Sequence, residues 1–198
     1  MKNTIKRLMA VLLTGIMLFA FIGCSTAKKA ENAVASLLDA LKAMDLAKAA
    51  EYASGGMKKD SLFDTEAELF VEGLVSRMEY KITGSEVVDE STVNVNVSIT
   101  NVDMKPVLSE FMASAWQYAI ASLGEDPAPT EEESNAKMLE ILTECLNREG
   151  LEMVTHDATV TVKLVEGKWQ VEMGSSFVNA IFGGLEDATK EMQSSMGF

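Results

Sequence analysis

The chain has 198 residues, of which 47% are hydrophobic, and its formal net charge is −13 at pH 7. Such an acidic surface argues against binding to nucleic acid or anionic lipid headgroups. Its two cysteines cannot form a disulfide framework, and glycine-rich phosphate loops, CxxC pairs, HExxH and GxSxG motifs do not occur, so we expect neither a cofactor nor a bound metal.

The chain begins with the three-part pattern of a secretory signal peptide. Basic residues precede an apolar run, Leu8–Ile22, which is shorter than the about 20 residues that span a bilayer. The segment FIGC, ending at Cys24, resembles the lipobox of bacterial lipoproteins. That resemblance implies removal of residues 1–23, diacylation of Cys24 and a lipid-anchored (palmitate-type) protein at the extracytoplasmic face of the cell membrane. The basic residues are Lys2, Lys6 and Arg7.

The same pattern has a second interpretation. Phe21 stands where lipoboxes usually have Leu, and an ordinary secretory signal cleaved elsewhere would leave Cys24 as a free thiol. Cleavage before Cys24 leaves 175 residues, with 14 Lys and Arg against 30 Asp and Glu, a net charge of −16. Two acyl chains anchor a protein stably. Lys28 and Lys29 then either contact headgroups or solubilise a tether, residues 24–29.

The first half of the mature chain has the 3.6-residue period of helices. A stripe that includes Leu37 and Leu41 predicts one helix, and Asp45 is the expected N-cap of a second, which Ser54-Gly55-Gly56 ends. Thr65 and Glu68 have capping-box spacing for a third helix that continues to about Met78.

The period then changes to that of strands. MEYKIT places Met78, Tyr80 and Ile82 on one face, and Gly84-Ser85 is expected to break the strand. The segment STVNVNVSIT alternates valine and isoleucine with polar residues, which predicts a half-buried strand. After Asn101 the apolar positions shift, which predicts a bulge or a strand end.

Residues of about 105–150 are predicted to form two helices inserted between strands. Pro106 suits a first turn, and Thr130 with Glu133 forms a capping box for the second helix. In that helix Cys145 shares a face with apolar residues, so we expect a buried, inert thiol and not a nucleophile. The stripe of the first inserted helix is Leu108, Phe111, Met112, Ala115, Ala119 and Leu123.

The segment after residue 157 predicts a hairpin, a short helix and a tail. Glu166-Gly167 is expected in the hairpin turn, and Trp169, Val171 and Met173 lie on one face of the returning strand. SSFVNAIFGGLEDA predicts one short helix weakened by its two glycines, and residues 191–198 are expected to be frayed.

The order of elements resembles the cystatin-like α+β cone of the nuclear transport factor two superfamily, and more narrowly its small lipid-anchored members of unknown function from Gram-positive bacteria. Two segments carry the resemblance, SLLDALKAMDLAKAAEYAS and VEGKWQVEM. It implies a single α+β domain over residues 30–190, in which N-terminal helices pack on a curved antiparallel sheet with a helical insertion at about 105–150. Because the superfamily includes enzymes and binding domains, the fold indicates little about function.

Two groups of residues are candidates for a site. His156 adjoins Asp157, the pair that an isomerase-like mechanism would use, although neighbouring strand residues point to opposite faces. Aromatic residues offer apolar contact area with a polar group, so they are candidates for a pocket lining, although core packing is the more common role of such residues. The candidate lining residues are Tyr80, Trp116, Tyr118, His156 and Trp169.

Three functions follow as hypotheses. The first is a non-catalytic, membrane-anchored module that binds a small apolar ligand or an envelope protein. The second is an enzyme of the isomerase, dehydratase or cyclase type, using His156 or a carboxylate in the cone. The third is an assembly role, which predicts an exposed apolar stripe on residues 106–123 and fails if Leu108, Phe111 and Met112 are buried in the domain.

Overall fold

The computed structural model describes residues 25–54, 65–124 and 127–196, and these ranges form an α+β fold with seven helices and four strands, as predicted. The predicted signal peptide, Cys24 and the Gly55-Gly56 stop lie outside the described residues, as do the side chains of the predicted Thr65–Glu68 capping box. The elements are α1 (residues 25–42), α2 (Leu46–Tyr52), α3 (Thr65–Val75), β1 (Glu79–Val87), β2 (Thr92–Val102), α4 (Met104–Ser122), α5 (Glu131–Asn147), β3 (Met153–Val165), β4 (Lys168–Val171), α6 (Ser175–Ile181) and α7 (Leu185–Met196).

The strands form one open antiparallel sheet in the order β1-β2-β3-β4. β2 and β3 pair without interruption from Thr92 opposite Lys163 to Val102 opposite Met153. The predicted break at Gly84-Ser85 is wrong, because β1 continues to Val87 and the register shifts between Ile82 and Gly84 as in a β-bulge. The shift accommodates one extra residue of β1, so the pairing with β2 continues beyond it.

One face of the sheet is covered by helices and forms the first core. The alternating residues of β2 from Val93 to Ile99 are buried on this face, as the sequence predicts. α6 contacts β2 and β3, and α2 contacts β4. The largest fully buried side chains of this core are Leu37, Leu38, Met78, Ile99, Phe177 and Ile181.

The opposite face of the sheet carries a ladder of polar side chains. The Thr159 hydroxyl donates to Asn96 Oδ1 at 2.8 Å, and the hydroxyls of Thr100 and Thr155 lie 2.7 Å apart. These are cross-strand neighbours, which interact most strongly when they are directly opposite. The ladder therefore stabilises the pairing of β2 with β3 from the solvent side.

A second core lies at the far end of β2, among α3, α4, α5 and α7. Its buried members are Leu74, Val102, Met104, Val107, Ile141, Cys145, Leu146 and Ala188. The pattern shift after Asn101 marks a strand end, and β2 pairs through Val102 without a bulge. Asn101 lies on the face of β2 that contributes to the first core. Val102 lies on the opposite face. The earlier residues of that face are polar, whereas Val102 is covered by the second core.

The helix ends account for two further differences from the predicted boundaries. Residues 25–29, predicted as a tether, belong to α1, and Ala30 is fully buried one turn later. Residues 191–196, predicted as frayed, continue α7, which is held by the Lys105–Glu191 ion pair and by the packing of Ala188. Such long-range contacts stabilise helix ends that intrinsic helix propensity alone would not keep helical.

The glycine pair at positions 183 and 184 divides the predicted last helix into α6 and α7. Both glycines have positive φ, and a Cβ on Gly183 would stand 1.8 Å from the carbonyl oxygen of Val102. Only a residue without a side chain allows the backbone to approach β2 so closely. The turn thus brings α7 back onto the second core.

We predict that replacing Asn101 by alanine lowers the free energy of unfolding by about 1–3 kcal/mol. Asn101 is fully buried, its Nδ2 donates to the Ile181 carbonyl at 2.6 Å, and its Oδ1 accepts from the Val102 N–H at 2.8 Å. The substitution leaves two backbone groups without partners, which urea denaturation would measure. The matched control is Asn96→Ala on the exposed face of the same strand, which removes only the cross-strand bond from Thr159 and is expected to cost about 0.2–1 kcal/mol. Equal losses in the two variants would contradict this account.

Candidate functional site

The five residues predicted as pocket lining lie in separate places. Trp116 lines a groove between α4 and α7, and Trp169 lines another among α1, α2 and β4. Tyr80 lies on β1 beside α1, Tyr118 packs against the second core, and His156 lies on β3. None of the three grooves described for this chain contains more than one of these residues.

His156 and Asp157 lie on opposite faces of β3, as strand alternation predicts. His156 is opposite Ile99 on the face of the first core, beside Gly184. Asp157 is opposite Ser98 on the polar face, where its carboxylate accepts a hydrogen bond from the Ser98 hydroxyl. The geometry therefore does not form the carboxylate–imidazole pair that a proton-transfer mechanism would use.

Tyr80 connects the sheet to the first helix. Its hydroxyl donates to Asp39 Oδ1 at 2.7 Å and lies 3.3 Å from the carbonyl oxygen of Ala35. Burial, followed by the hydrogen bond to Asp39 and the charge of that carboxylate, raises the pKa of Tyr80 from 10.0 to about 12. A neutral phenol that donates to a carboxylate is a structural tie, and it holds α1 against β1.

Cys145 is buried in the second core, as predicted. Burial is the largest cause of the increase in the pKa of its thiol, and the nearby Glu110 carboxylate adds to it. Both effects disfavour the reactive thiolate. The environment of Cys145 thus fits an inert core thiol.

The most apolar candidate site is the groove between α4 and α7, of about 400 Å³. Leu108, Met112 and Trp116 line it from α4, and Ala188 and Met192 line it from α7. At its rim Lys105 Nζ lies 2.7 Å from Glu191 Oε1. An apolar cleft with a few charged groups at its edge is the usual form of a site for apolar ligands or side chains.

The apolar surface continues from this groove along the last turns of α4. Trp116 is 65% exposed and Leu123 is 87% exposed, and Ile120 lies between them with a similar exposure. The stripe predicted for this helix contains Leu123 but not Trp116 or Ile120. Trp116 and Ile120 are four residues apart, and this i, i+4 spacing was the signal in the sequence that could have revealed a second apolar face of the helix.

The two apolar faces of α4 have different surroundings. Leu108, Phe111 and Tyr118 are half-buried and pack against the second core. Met112 is half-buried and lines the groove. The exposed apolar surface therefore lies toward the C-terminal end of the helix, and not at the three residues on which the assembly hypothesis depended.

Two other grooves are more polar. One, of about 390 Å³, lies among α1, α2 and β4, with Lys29, Tyr52, Lys168 and Trp169 in its lining. The other lies on the polar face of the sheet around Asn96 and Asp157. In the described ranges, no group of three or more His, Cys, Asp or Glu side chains could hold a metal ion, and no helix is long and apolar enough to cross a bilayer.

No family model matches this chain, and no curated protein matches it either. Among solved structures, the chain is similar to a crystal structure of ycdA from Bacillus subtilis, an inferred lipoprotein. The two are 14% identical with a TM-score of 0.44, over 73% of this chain and 43% of the other. This chain therefore spans less than half the length of that protein.

We predict that the tie at Tyr80 makes stability depend on pH in the alkaline range. A raised pKa means that the folded state holds the phenolic proton more tightly than the unfolded state. The contribution of Tyr80 is thus complete below pH 10 and is lost as the pH rises toward 12. Urea denaturation at a series of pH values should give a steeper fall for the wild type than for Tyr80→Phe. Parallel curves for the two proteins would refute the tie, since other titrating groups are common to both.

Proposed function

We propose that this protein is a lipid-anchored, extracytoplasmic lipoprotein that acts as a non-catalytic binding module. In this proposal the α4–α7 groove receives a small apolar ligand or an apolar side chain of an envelope protein. The observation that carries the binding role is the exposed Trp116 at the edge of an apolar groove of about 400 Å³.

The anchoring part of the proposal is supported by the N-terminal sequence. Three basic residues and the apolar run Leu8–Ile22 match the pattern of a secretory signal, and the cysteine within FIGC lies where a lipobox would place it. The described part of α1 starts at residue 25, the residue that follows Cys24 in the sequence. Acylation there would hold the folded domain close to the membrane surface, because two acyl chains give stable attachment.

The binding part of the proposal is supported by the apolar side chains that are exposed to water at and beside the groove. Large apolar patches on a monomer usually mark interaction sites, since they gain nothing from contact with water. Trp116 stands out here because tryptophan is the residue type most enriched where binding energy is concentrated. The rim ion pair, Lys105–Glu191, could orient a polar group of the ligand.

The enzymatic alternative is supported less well. The sheet face on which a cone-like active site would lie is packed with aliphatic side chains from α1, α6 and the strands. His156 and Asp157, the residues that we considered for proton transfer, lie on opposite faces of β3. The assembly alternative is also supported less well, because Leu108 and Phe111, on which it depended, pack against the second core and Met112 lines the groove.

We predict that mass spectrometry of the protein from its native membrane finds Cys24 as the first residue, carrying a diacylglyceryl thioether. Cys24→Ser should abolish the modification and release the protein from the membrane fraction, because signal-peptide processing at a lipobox requires the cysteine. Ser25→Ala is the control and should remain anchored. An unmodified sulfur at Cys24 in the native protein would refute the anchoring proposal.

We predict that Trp116→Ala weakens binding of a neutral naphthylamine probe about 10-fold, a loss of about 1.4 kcal/mol, which exceeds the about 1 kcal/mol that most contact residues do not reach. The measurement is fluorescence titration of the soluble form that begins at residue 25, which retains every described residue. Leu164→Ala, an exposed apolar residue at the other end of the sheet, is the matched control and should bind like the wild type. Equal affinities for the wild type and Trp116→Ala would exclude the groove as the binding site.

A further inference from the structure

The direction of α1 across the sheet follows from two contacts. Near its beginning, Glu31 Oε1 accepts a hydrogen bond from the Ser85 hydroxyl at 2.7 Å. Two turns later, Asp39 accepts the bond from Tyr80. Because Ser85 lies toward the end of β1 and Tyr80 toward its start, α1 begins at the end of the sheet where β1 runs into β2.

The two hairpin turns of the sheet lie at that same end. β1 and β2 are joined by residues 88–91, and β3 and β4 by Glu166-Gly167, whose positive φ angles define a tight type I′ turn. The Leu164 N–H donates to the carbonyl of Ser91 at 2.7 Å, so the first turn is bonded to β3 just before the second turn. The start of α1 and both hairpin tips therefore form one end of the molecule.

The start of α1 is nearly level with the hairpin tips. From Glu31 back to residue 25 the helix rises about 9 Å, and from Ser85 to Val88 the strand advances about 10 Å. Cys24 precedes residue 25 directly. An acyl anchor on Cys24 would therefore enter the bilayer beside the tips, without a spacer that could hold them away.

Both tips carry exposed aliphatic side chains. We name the following four residues the tip surface: Val87, Val88, Leu164 and Val165. Val88 is 55% exposed, and each of the others is more than one-third exposed, although all four belong to strands or to the residue after one. The described core does not cover them.

The charges at this end do not have one sign. Lys28, Lys29 and Lys168 are exposed there, and acidic residues of the tips accompany them, so a net attraction to anionic lipid is not expected. The free energy of apolar contact with lipid does not depend on the balance of charges, since it depends on the apolar area that is removed from water. The acidic residues are Glu86, Asp89, Glu90 and Glu166.

We propose that the tip surface rests on the bilayer, so that the domain stands end-on upon the membrane. This inference depends on the proposed acylation of Cys24, and it adds a second, protein-mediated contact to the acyl anchor. The other end of β2, which leads into α4, would lie about 33 Å farther from the membrane at the usual rise per residue. α4 and α7 pack around that distal end, so the groove that they form would be kept away from the lipid.

The test uses the full acylated protein in vesicles of phosphatidylcholine. A fluorophore is attached to Val88→Cys, or to Val165→Cys as a second tip variant, while Cys145 stays buried and unlabelled. The matched control is Met153→Cys, an exposed apolar residue opposite Val102 at the other end of the sheet, with 48% exposure. Quenching by nitroxide-labelled lipid should be at least about three-fold stronger at the tips, because interfacial residues lie about 5–10 Å into the headgroup boundary. High salt should leave this difference unchanged.

The outcomes separate this inference from the proposed function. If mass spectrometry finds diacylated Cys24 and the tip labels are quenched no more than the label at position 153, the end-on contact is refuted and the anchored module stands. Equal and strong quenching at all three positions also refutes it, because the domain would then lie on its side. If Cys24 carries no acyl chain, both the anchoring proposal and this inference fail. Circular dichroism of each variant establishes that the fold is retained.

Discussion

The alternation of β2 is the constraint on which the rest of the fold depends. β2 pairs with a strand on each edge, and its side chains point in turn to the first core and to the polar ladder. A shift of one residue would exchange those faces, so the register of this strand determines what is buried throughout the sheet. The last residue of β2, Val102, lies on the same face as the polar ladder, but it is buried in the second core, which begins there.

Two neighbouring residues at this transition connect the cores. Asn101 faces the first core and bonds through its side chain to the carbonyl of Ile181 at the end of α6. The carbonyl of Val102 is approached by Gly183, which only a glycine permits. The polar residue and the glycine thus direct α6 and α7 to opposite sides of the same strand end, and α7 then forms one wall of the α4–α7 groove.

The sheet consequently has two ends of different character. The hairpin tips and the start of α1 form one end, while the second core and the groove lie at the other. Under the proposed anchoring, the first end is held at the membrane and the second is presented to the cell envelope. The separation follows from the length of β2, because a strand rises about 3.3 Å per residue.

Several local features were predictable from sequence because they depend on neighbouring residues. The Asp45 N-cap, the Thr130–Glu133 capping box and the Glu166-Gly167 turn are confirmed, as are the two faces of β2. The candidate site was not predictable in this way, since the groove combines Trp116 with residues of α7 that lie far along the chain. The division of the last helix at Gly183 likewise depends on the close approach of its backbone to Val102, which lies far away in the sequence. The sequence by itself determined the helical and strand periodicity, the helix caps and the hairpin turn. The tertiary structure alone decided which apolar residues of α4 remained at the surface, because burial depends on packing partners that the local sequence pattern does not contain.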